Sequence, residues 1–191
     1  NLVSRGNMET IWSRNFNFNN SNFVWKNIYQ QKIMQLDIAK IAEFNFKVLH
    51  NIVPCGKVLN KWQRNTPEHC LRCGEVETTE HMLFRCNSIN ETWKTVSEII
   101  RVNINWKTIV CGLPSSENNK AVKFINLIIS VVAFCIFKCS NKNRWNNQVD
   151  TSNVSQAIAK DLLFYRLVLN QKCDDLLEDV RVMKIGKKLI G

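Results

Sequence analysis

Three cysteines and a histidine in the segment "CLRCGEVETTEHMLFRC" have the spacing of a metal site. They follow the pattern C-x2-C-x7-H-x4-C and are Cys70, Cys73, His81 and Cys86. Two cysteines separated by two residues can direct both sulfurs at one ion from a tight turn, and Gly74 supplies the backbone freedom that such a turn uses. Three thiolates and an imidazole favour zinc, and four protein ligands leave no position for water or substrate. The pattern therefore predicts a structural Zn2+ site.

A short helix must carry the histidine toward the two cysteines. Thr78 or Thr79 can cap this helix, and Glu77 or Glu80 can face the amides of its first turn. The neighbouring His69 is a spare candidate ligand that ranks below Cys70. These residues predict a helix that begins just before His81.

The last ligand lies beyond one turn of that helix. His81 and Cys86 are five residues apart, whereas an α-helical turn has 3.6 residues, so Cys86 should come from a frayed or tightened helix end. Leu83 and Phe84 should pack on Trp93 or on the apolar stripe of an earlier helix. Metal binding and folding would then be coupled, because the segment has too little apolar surface to fold alone.

The chain has 8 cysteines, an even number that could also indicate disulfides. The compact ligand pattern suits a reducing compartment better, so we expect an intracellular protein of the nucleus and cytoplasm. Cys135 and Cys139 are interpreted as small core residues. We found no P-loop, nucleophile elbow or polymerase aspartate pair, so we expect no catalytic site and no small-molecule substrate.

The net charge of +10 predicts a polyanionic partner. Lys and Arg outnumber acids by 9 to 4 in residues 1–69 and by 12 to 6 in residues 120–191, but not in residues 70–119, where the count is 5 to 6. The basic surplus therefore flanks the metal motif. RNA is preferred over DNA as the partner, because no helix with several base-reading side chains stands out. The candidate contacts are Lys40, Lys47, Lys57, Lys61, Arg64, Arg72, Arg85, Lys138, Lys142, Arg144 and, for base stacking, Trp145.

Helical periodicity without alternating segments predicts a mainly α fold, a helical domain stapled by a small Cys3His zinc knuckle. Trp12, Phe16 and Phe18 are possible anchors in a flexible arm, and Val58, Leu59 and Trp62 form the buried side of one helix. The expected segments are the arm at 1–22, a helical lobe with the knuckle at 23–110, a hinge at 111–119, a long-helix lobe at 120–180 and a basic tail at 181–191.

The longest apolar run, Phe124 to Phe137, is shorter than the ~20 residues that span a bilayer. It predicts a buried core helix and no membrane partner. The chain begins at Asn1 rather than Met, which suggests an excerpt of a longer protein.

Two stretches, "FNFKVLHNIVPCGKVLNKW" and "HCLRCGEVETTEHMLFRCNSINETW", resemble the zinc-binding C-terminal region of LINE-type, non-LTR retrotransposon reverse transcriptases. The similarity covers residues 23–147 and is most specific at the Cys-Cys-His-Cys set with Glu77 and Thr78 before the histidine and Trp93 after the last cysteine. The resemblance implies a parent RNA-directed DNA polymerase with an endonuclease. It also implies that this region is an accessory domain that helps to hold template RNA or target DNA during target-primed reverse transcription.

A second interpretation stays open at this point. The chain could be a zinc-stabilised structural module that docks on the polymerase core of its parent or on another protein. In that case the apolar run Phe124 to Phe137 and the tail would be buried by the partner.

Overall fold

The computed structural model describes residues 8–17, 22–34, 38–63, 65–114 and 120–145. In these ranges the chain is helical and has no strand, which confirms the mainly α class. The α-helices are α1 (Met8–Phe16), α2 (Asn22–Tyr29), α3 (Ala39–Leu49), α4 (Gly56–Trp62), α5 (Asn90–Ile100), α6 (Trp106–Cys111) and α7 (Lys120–Trp145). Two π-helical turns, Gln30–Met34 and His81–Arg85, and a 3-10 turn, Asn87–Ile89, complete the helical elements of the described ranges. Arg64, the part of the expected long-helix lobe beyond residue 145 and the basic tail lie outside the described residues.

Helix α7 is the central element of the core. It packs on α3, on α6 and on both π-helical turns. Ile129, Val132 and Ile136 are fully buried along it. A helix that is enclosed by neighbours has no solvent face to keep polar, which explains why its middle is apolar nearly all round. The prediction of a core helix in this run is therefore confirmed.

Length and composition alone would also allow Ala121–Trp145 to cross a membrane. A helix enclosed in a protein core passes the same test of hydropathy, so this property is weak evidence for a membrane span. Packing accounts for the apolar residues: Phe44 of α3 lies edge-on to Phe134 of α7, with ring centroids 5.3 Å apart, and contacts Phe137 at 5.2 Å.

The N-terminal segment that the sequence assigns to a flexible arm contains helix α1. Trp12 is buried and donates a hydrogen bond from Nε1 to the Leu49 carbonyl at 2.8 Å, and Trp25 of α2 donates to Ser13 Oγ at 3.2 Å. Trp12 thus acts as the anchor that the sequence suggested, and its burial orders the helix around it. Tertiary contacts outweigh the weak helical signal of this Asn-rich stretch.

Helix α7 contributes to the same hydrophobic core as α2, α3 and α5. Leu113, within the predicted hinge, is hydrogen-bonded to Asn126 of α7, which accepts from its amide at 2.7 Å and donates to its carbonyl at 3.1 Å. Residues 115–119 of the hinge lie outside the described chain. The domain boundaries therefore stay a prediction, while the described helices on either side pack together.

Candidate metal centre

A tight turn presents the first two ligands. The amide of Gly74 donates to the Cys70 carbonyl at 2.9 Å, and the Cys70 amide donates to the Glu75 carbonyl at 2.7 Å. An isolated antiparallel bridge between His69 and Val76 closes the base of the turn. Gly74 has φ of +79°, a conformation that side chains other than glycine rarely adopt. The glycine predicted from the motif is therefore required by the turn geometry.

A π-helical turn presents the other two ligands. The Cys86 amide donates to the His81 carbonyl at 2.9 Å, a bond between residues five apart. The widened turn brings residues of this spacing nearer to one face than an α-helix would. The expectation of a frayed or tightened helix end is therefore wrong, since the helix is widened. The expected cap is confirmed: Thr78 Oγ1 accepts a hydrogen bond from the His81 amide at 3.0 Å.

The four ligand atoms meet at one point. Sulfur–sulfur distances are 3.9 Å from Cys86 to Cys70 and 3.9 Å from Cys86 to Cys73, and Cys73 Sγ lies 3.2 Å from His81 Nε2. All four atoms lie within 4.8 Å of one another. Tetrahedral zinc with Zn–S bonds of about 2.3 Å separates its sulfurs by roughly 3.8 Å, so the cluster fits Zn2+. The spare candidate, His69, is exposed and lies outside the cluster.

Neighbouring polar groups orient the ligands. Glu75 Oε2 lies 3.3 Å from His81 Nδ1, so an N–H there can donate to the carboxylate while Nε2 faces the metal. Ser88 Oγ lies 3.0 Å from Cys86 Sγ. The contact with Cys70, followed by that with Ser88, lowers the pKa of the Cys86 thiol to about 4, and the same contact raises the pKa of the Cys70 thiol, so these two ligands share a proton that metal binding would release.

The site lies against the core, with three ligands buried and Cys73 exposed at its outer side. Cys86, Leu83 and Ile89 are fully buried, and Trp93 Nε1 donates to the Leu83 carbonyl at 2.8 Å. The predicted contact between the knuckle helix and Trp93 is confirmed. A complete ligand set against a packed core makes the zinc structural, with no open position for a reaction.

A buried ion pair joins the knuckle to two helices. Glu77 Oε1 accepts from the Gly56 amide at the start of α4 at 2.8 Å and from Arg144 of α7 at 2.5 Å. Arg144 also donates to the Pro67 carbonyl at 2.8 Å. Glu77 therefore holds the N-terminus of α4, whereas the sequence suggested that it would face the knuckle's own helix. Through Arg144, the same carboxylate fixes the end of α7 beside the knuckle.

The candidate nucleic-acid contacts differ in exposure. Several of them have partners within the chain: Lys47 pairs with Glu43 at 2.6 Å, Arg85 pairs with Glu80 at 2.7 Å, and Arg72 donates to Ser140 Oγ at 2.9 Å. Arg144 is only 7% exposed, so the ion pair with Glu77 gives it a structural role that the sequence did not indicate. Exposed on the surface are Lys40, Lys57, Lys61, Arg85, Lys138, Lys142 and Trp145.

Sequence reasoning misplaced Trp62, which is an exposed aromatic residue. Trp62 was expected to be buried with Val58 and Leu59, but its exposed fraction is 65%, close to the 62% of Trp145. The physical reason is that α4 ends at Trp62 and that the chain is exposed from Lys61 to Gln63, beyond the buried Leu59. Two lysines of the same helix, Lys57 and Lys61, give the only sequence hint that this end faces solvent.

Comparison with known proteins supports the zinc site. Residues 7–93 match the sequence model of a family described as zinc-binding in reverse transcriptase. The matched segment includes all four ligands and helices α1 to α4, while α6 and α7 lie beyond it. Comparisons with curated proteins and with solved structures found no match.

Proposed function

We propose that this chain is an accessory nucleic-acid-binding region of a LINE-type, non-LTR retrotransposon reverse transcriptase, located in the C-terminal part of the enzyme. One observation carries the proposal. The contact of Glu77 with Arg144 and Gly56 brings α4 and the end of α7 together beside the zinc knuckle. The basic residues that the sequence places on both sides of the knuckle thus belong to neighbouring elements.

We propose that these elements share a composite surface, which we define as Lys57, Lys61, Trp62, Lys142 and Trp145, whose side chains are each exposed. Three ammonium groups can attract a phosphate backbone, and each exposed indole can stack on an unpaired base, worth ~1 to 3 kcal/mol. A surface of this kind suits single-stranded or structured RNA better than a duplex read by sequence. We therefore favour template RNA as the ligand, with target DNA as the second choice.

In this proposal the zinc knuckle is a scaffold. Zinc fixes the turn and the helix that hold Glu77, and Glu77 in turn fixes α4 and α7. The chain itself contributes no catalytic residue, and polymerase and endonuclease activities reside elsewhere in the parent enzyme. The protein would act inside the cell, in the nucleus and cytoplasm, where it meets RNA and the polymerase core without a membrane or small-molecule partner.

A salt titration tests the proposal. The full chain, loaded with zinc, is titrated onto a fluorescein-labelled single-stranded RNA at several salt concentrations, together with the charge reversals Lys61→Glu and Lys142→Glu. We expect an affinity that falls steeply with salt, and a double variant whose log–log slope is smaller by roughly 1.4, since each lost phosphate contact removes ~0.7. Lys94→Glu is the matched control, because Lys94 is exposed on α5, outside the composite surface.

The alternative function, a zinc-stabilised structural module that docks on the polymerase core or on another protein, predicts a different result in the same titration. Its apolar run is already buried in this chain's own core, at Phe124, Ile129 and Ile136 among others, so docking would use other surfaces, such as the exposed Trp62 and Trp145. An RNA affinity that changes neither with salt concentration nor with the two charge reversals would contradict the nucleic-acid proposal and favour docking on the polymerase core.

A further inference from the structure

A cleft lies on the side of the knuckle formed by Thr78, Thr79 and Glu80. Its other walls are α1, the turn after α3 and the start of α6, and its volume is about 650 Å³. That volume falls within the ~300 to 1,000 Å³ of sites for small organic groups. We propose that this cleft holds one unpaired base of a single-stranded nucleic acid. The inference rests on the proposed function and adds a defined pocket to it.

Three aromatic rings line one side of the cleft. Trp12 is buried, and it stacks on Phe16 with ring centroids 5.3 Å apart and an interplanar angle of 6°. Trp106 lies edge-on to Trp12 at 6.2 Å and 72°. Phe16 and Trp106 are partly exposed. Because the hydrogen bond from Trp12 to Leu49 fixes the central ring, this aromatic wall is rigid before a base arrives.

Carboxamide groups occupy the polar part of the lining. Asn15 and Asn51 are exposed in the cleft, and Asn105 is oriented by its Oδ1, which accepts from the Thr108 amide at 3.0 Å and hydroxyl at 3.1 Å. A carboxamide offers a donor and an acceptor side by side, as do the hydrogen-bonding edges of the bases. Aromatic faces combined with carboxamides favour a base over a purely apolar group.

Charged groups at the cleft fit a nucleotide rather than a free base. Lys107 donates to the Phe16 carbonyl at 3.4 Å, and Arg85 is held by Glu80 at 2.7 Å. Two cations and one carboxylate leave a surplus of one positive charge, which matches the phosphate that accompanies each base. A base in a duplex is already stacked and paired on its hydrogen-bonding edge, so only an unpaired base can enter.

Short RNA probes test the cleft. The zinc-loaded full chain is titrated with an 8-nucleotide single strand and with the same strand in a duplex, and binding is followed by tryptophan fluorescence. We expect quenching by the single strand and at least fivefold weaker binding for Trp106→Leu. Trp106→Phe keeps an aromatic face and should restore most of the affinity.

Two further variants test the carboxamide and the positive charge of the cleft separately. Asn51→Gly removes the carboxamide but tolerates the backbone, whose φ is +52° at this residue, so weaker binding would report the side chain. Lys107→Ala should weaken binding severalfold, whereas Lys94→Ala, which removes the same charge from α5, should have a much smaller effect. A photoreactive 4-thiouridine in the strand should crosslink to residues of α1 or α6, a readout that a merely structural role would not give.

The outcomes distinguish this inference from the proposed function. If the strand binds and the charge reversals on the composite surface weaken it, but the cleft variants bind normally and no crosslink maps to α1 or α6, the cleft proposal fails alone. If no RNA binds the folded, zinc-loaded chain, both fail. If the cleft variants lose affinity for the polymerase core and not for RNA, the cleft is a protein-binding site and the proposal is overturned.

Discussion

Lys32 is the residue at which charge and burial conflict most directly. Its side chain is 1% exposed, and its ammonium donates to Ser130 Oγ at 2.9 Å. Asn45 donates to the Lys32 carbonyl at 2.8 Å and to Ser130 Oγ at 3.2 Å, which links α3 to α7 through this network. Burial lowers the pKa of Lys32 from its ordinary 10.5 to about 8, with a smaller opposing effect from Cys111.

This pKa predicts a pH-dependent stability difference. Between pH 8 and 10.5 the unfolded chain still binds a proton that folded Lys32 has released, so Lys32 makes the free energy of unfolding rise with pH, by up to ~1.4 kcal/mol per pH unit. Below pH 8 its desolvation cost is fully present. Burial raises the pKa of Cys111 from its ordinary 9.0 to about 12. Above pH 9 this thiol therefore makes the free energy of unfolding fall with pH, opposite to the effect of Lys32. The Lys32 contribution must therefore be measured as a difference between variants.

The measurement compares the wild type with Lys32→Met by urea denaturation from pH 7 to 9.5 in the presence of zinc. We expect the wild type to gain stability relative to Lys32→Met as pH rises above 8. Lys26→Met, on the exposed face of α2, should follow the wild type throughout. If the free energies of unfolding of the wild type and of Lys32→Met change in parallel with pH, Lys32 is not desolvated in the folded chain.

Residue identities that carry chemistry could be predicted, but burial could not be predicted where it depends on elements distant in the chain. Cys70, Cys73, His81 and Cys86 were found from spacing alone, because a turn and a helix of fixed geometry relate them locally. Trp62 and Arg144 were misplaced or given a different role, because their exposure depends on elements far away in the chain. Arg144 lies 67 residues from Glu77, a separation that no local pattern covers.

At the scale of elements, the apolar pattern located α4 and α7, because α4 buries a defined stripe and α7 is enclosed by its neighbours. It did not reveal α1, whose few anchors lie in a polar stretch. It also did not reveal the two π-helical turns, since a widened turn depends on backbone hydrogen bonds and leaves no distinct composition. The knuckle π-turn is the feature that lets a five-residue spacing serve one ion.

The Glu77–Arg144 pair tests how these elements are held together. Both side chains are nearly buried, at 5% and 4% exposure. Glu77→Gln would leave Arg144 buried without its counter-charge, so we expect a loss of ~3 to 5 kcal/mol in the free energy of unfolding, measured by urea denaturation. Hydrogen exchange should increase in α4, whose first amide loses a charged acceptor.

The control is an ion pair of the same type in solvent. Glu43 and Lys47 are 2.6 Å apart on α3, with 65% and 37% of their side chains exposed. Glu43→Gln should leave stability close to that of the wild type, because water screens this pair. Equal effects of the two substitutions would mean that the buried pair does not join α4 to α7.

At the scale of the whole molecule, zinc and the core are parts of one structure. The knuckle π-turn packs on α5 and α7, and the turn that holds Cys70 and Cys73 leads through Glu77 to α4. Hydrophobic burial around α7 supplies most of the packing, while zinc fixes a segment whose own apolar surface is small. Because zinc fixes the segment that carries Glu77, the metal site can affect α4 and α7 without contacting them.

Metal removal should therefore destabilise helices outside the knuckle as well as the knuckle itself. Treatment with a strong chelator should lower the thermal midpoint and the helical circular dichroism signal, and hydrogen exchange should increase first in α4 and at the start of α5. Cys73→Ser should reproduce part of this loss and lower the zinc content, whereas Cys139→Ser, outside the cluster on α7, should keep full zinc occupancy. Unchanged helicity and an unchanged midpoint after complete metal removal would contradict a structural role for zinc. The composite surface would then need another explanation for its geometry.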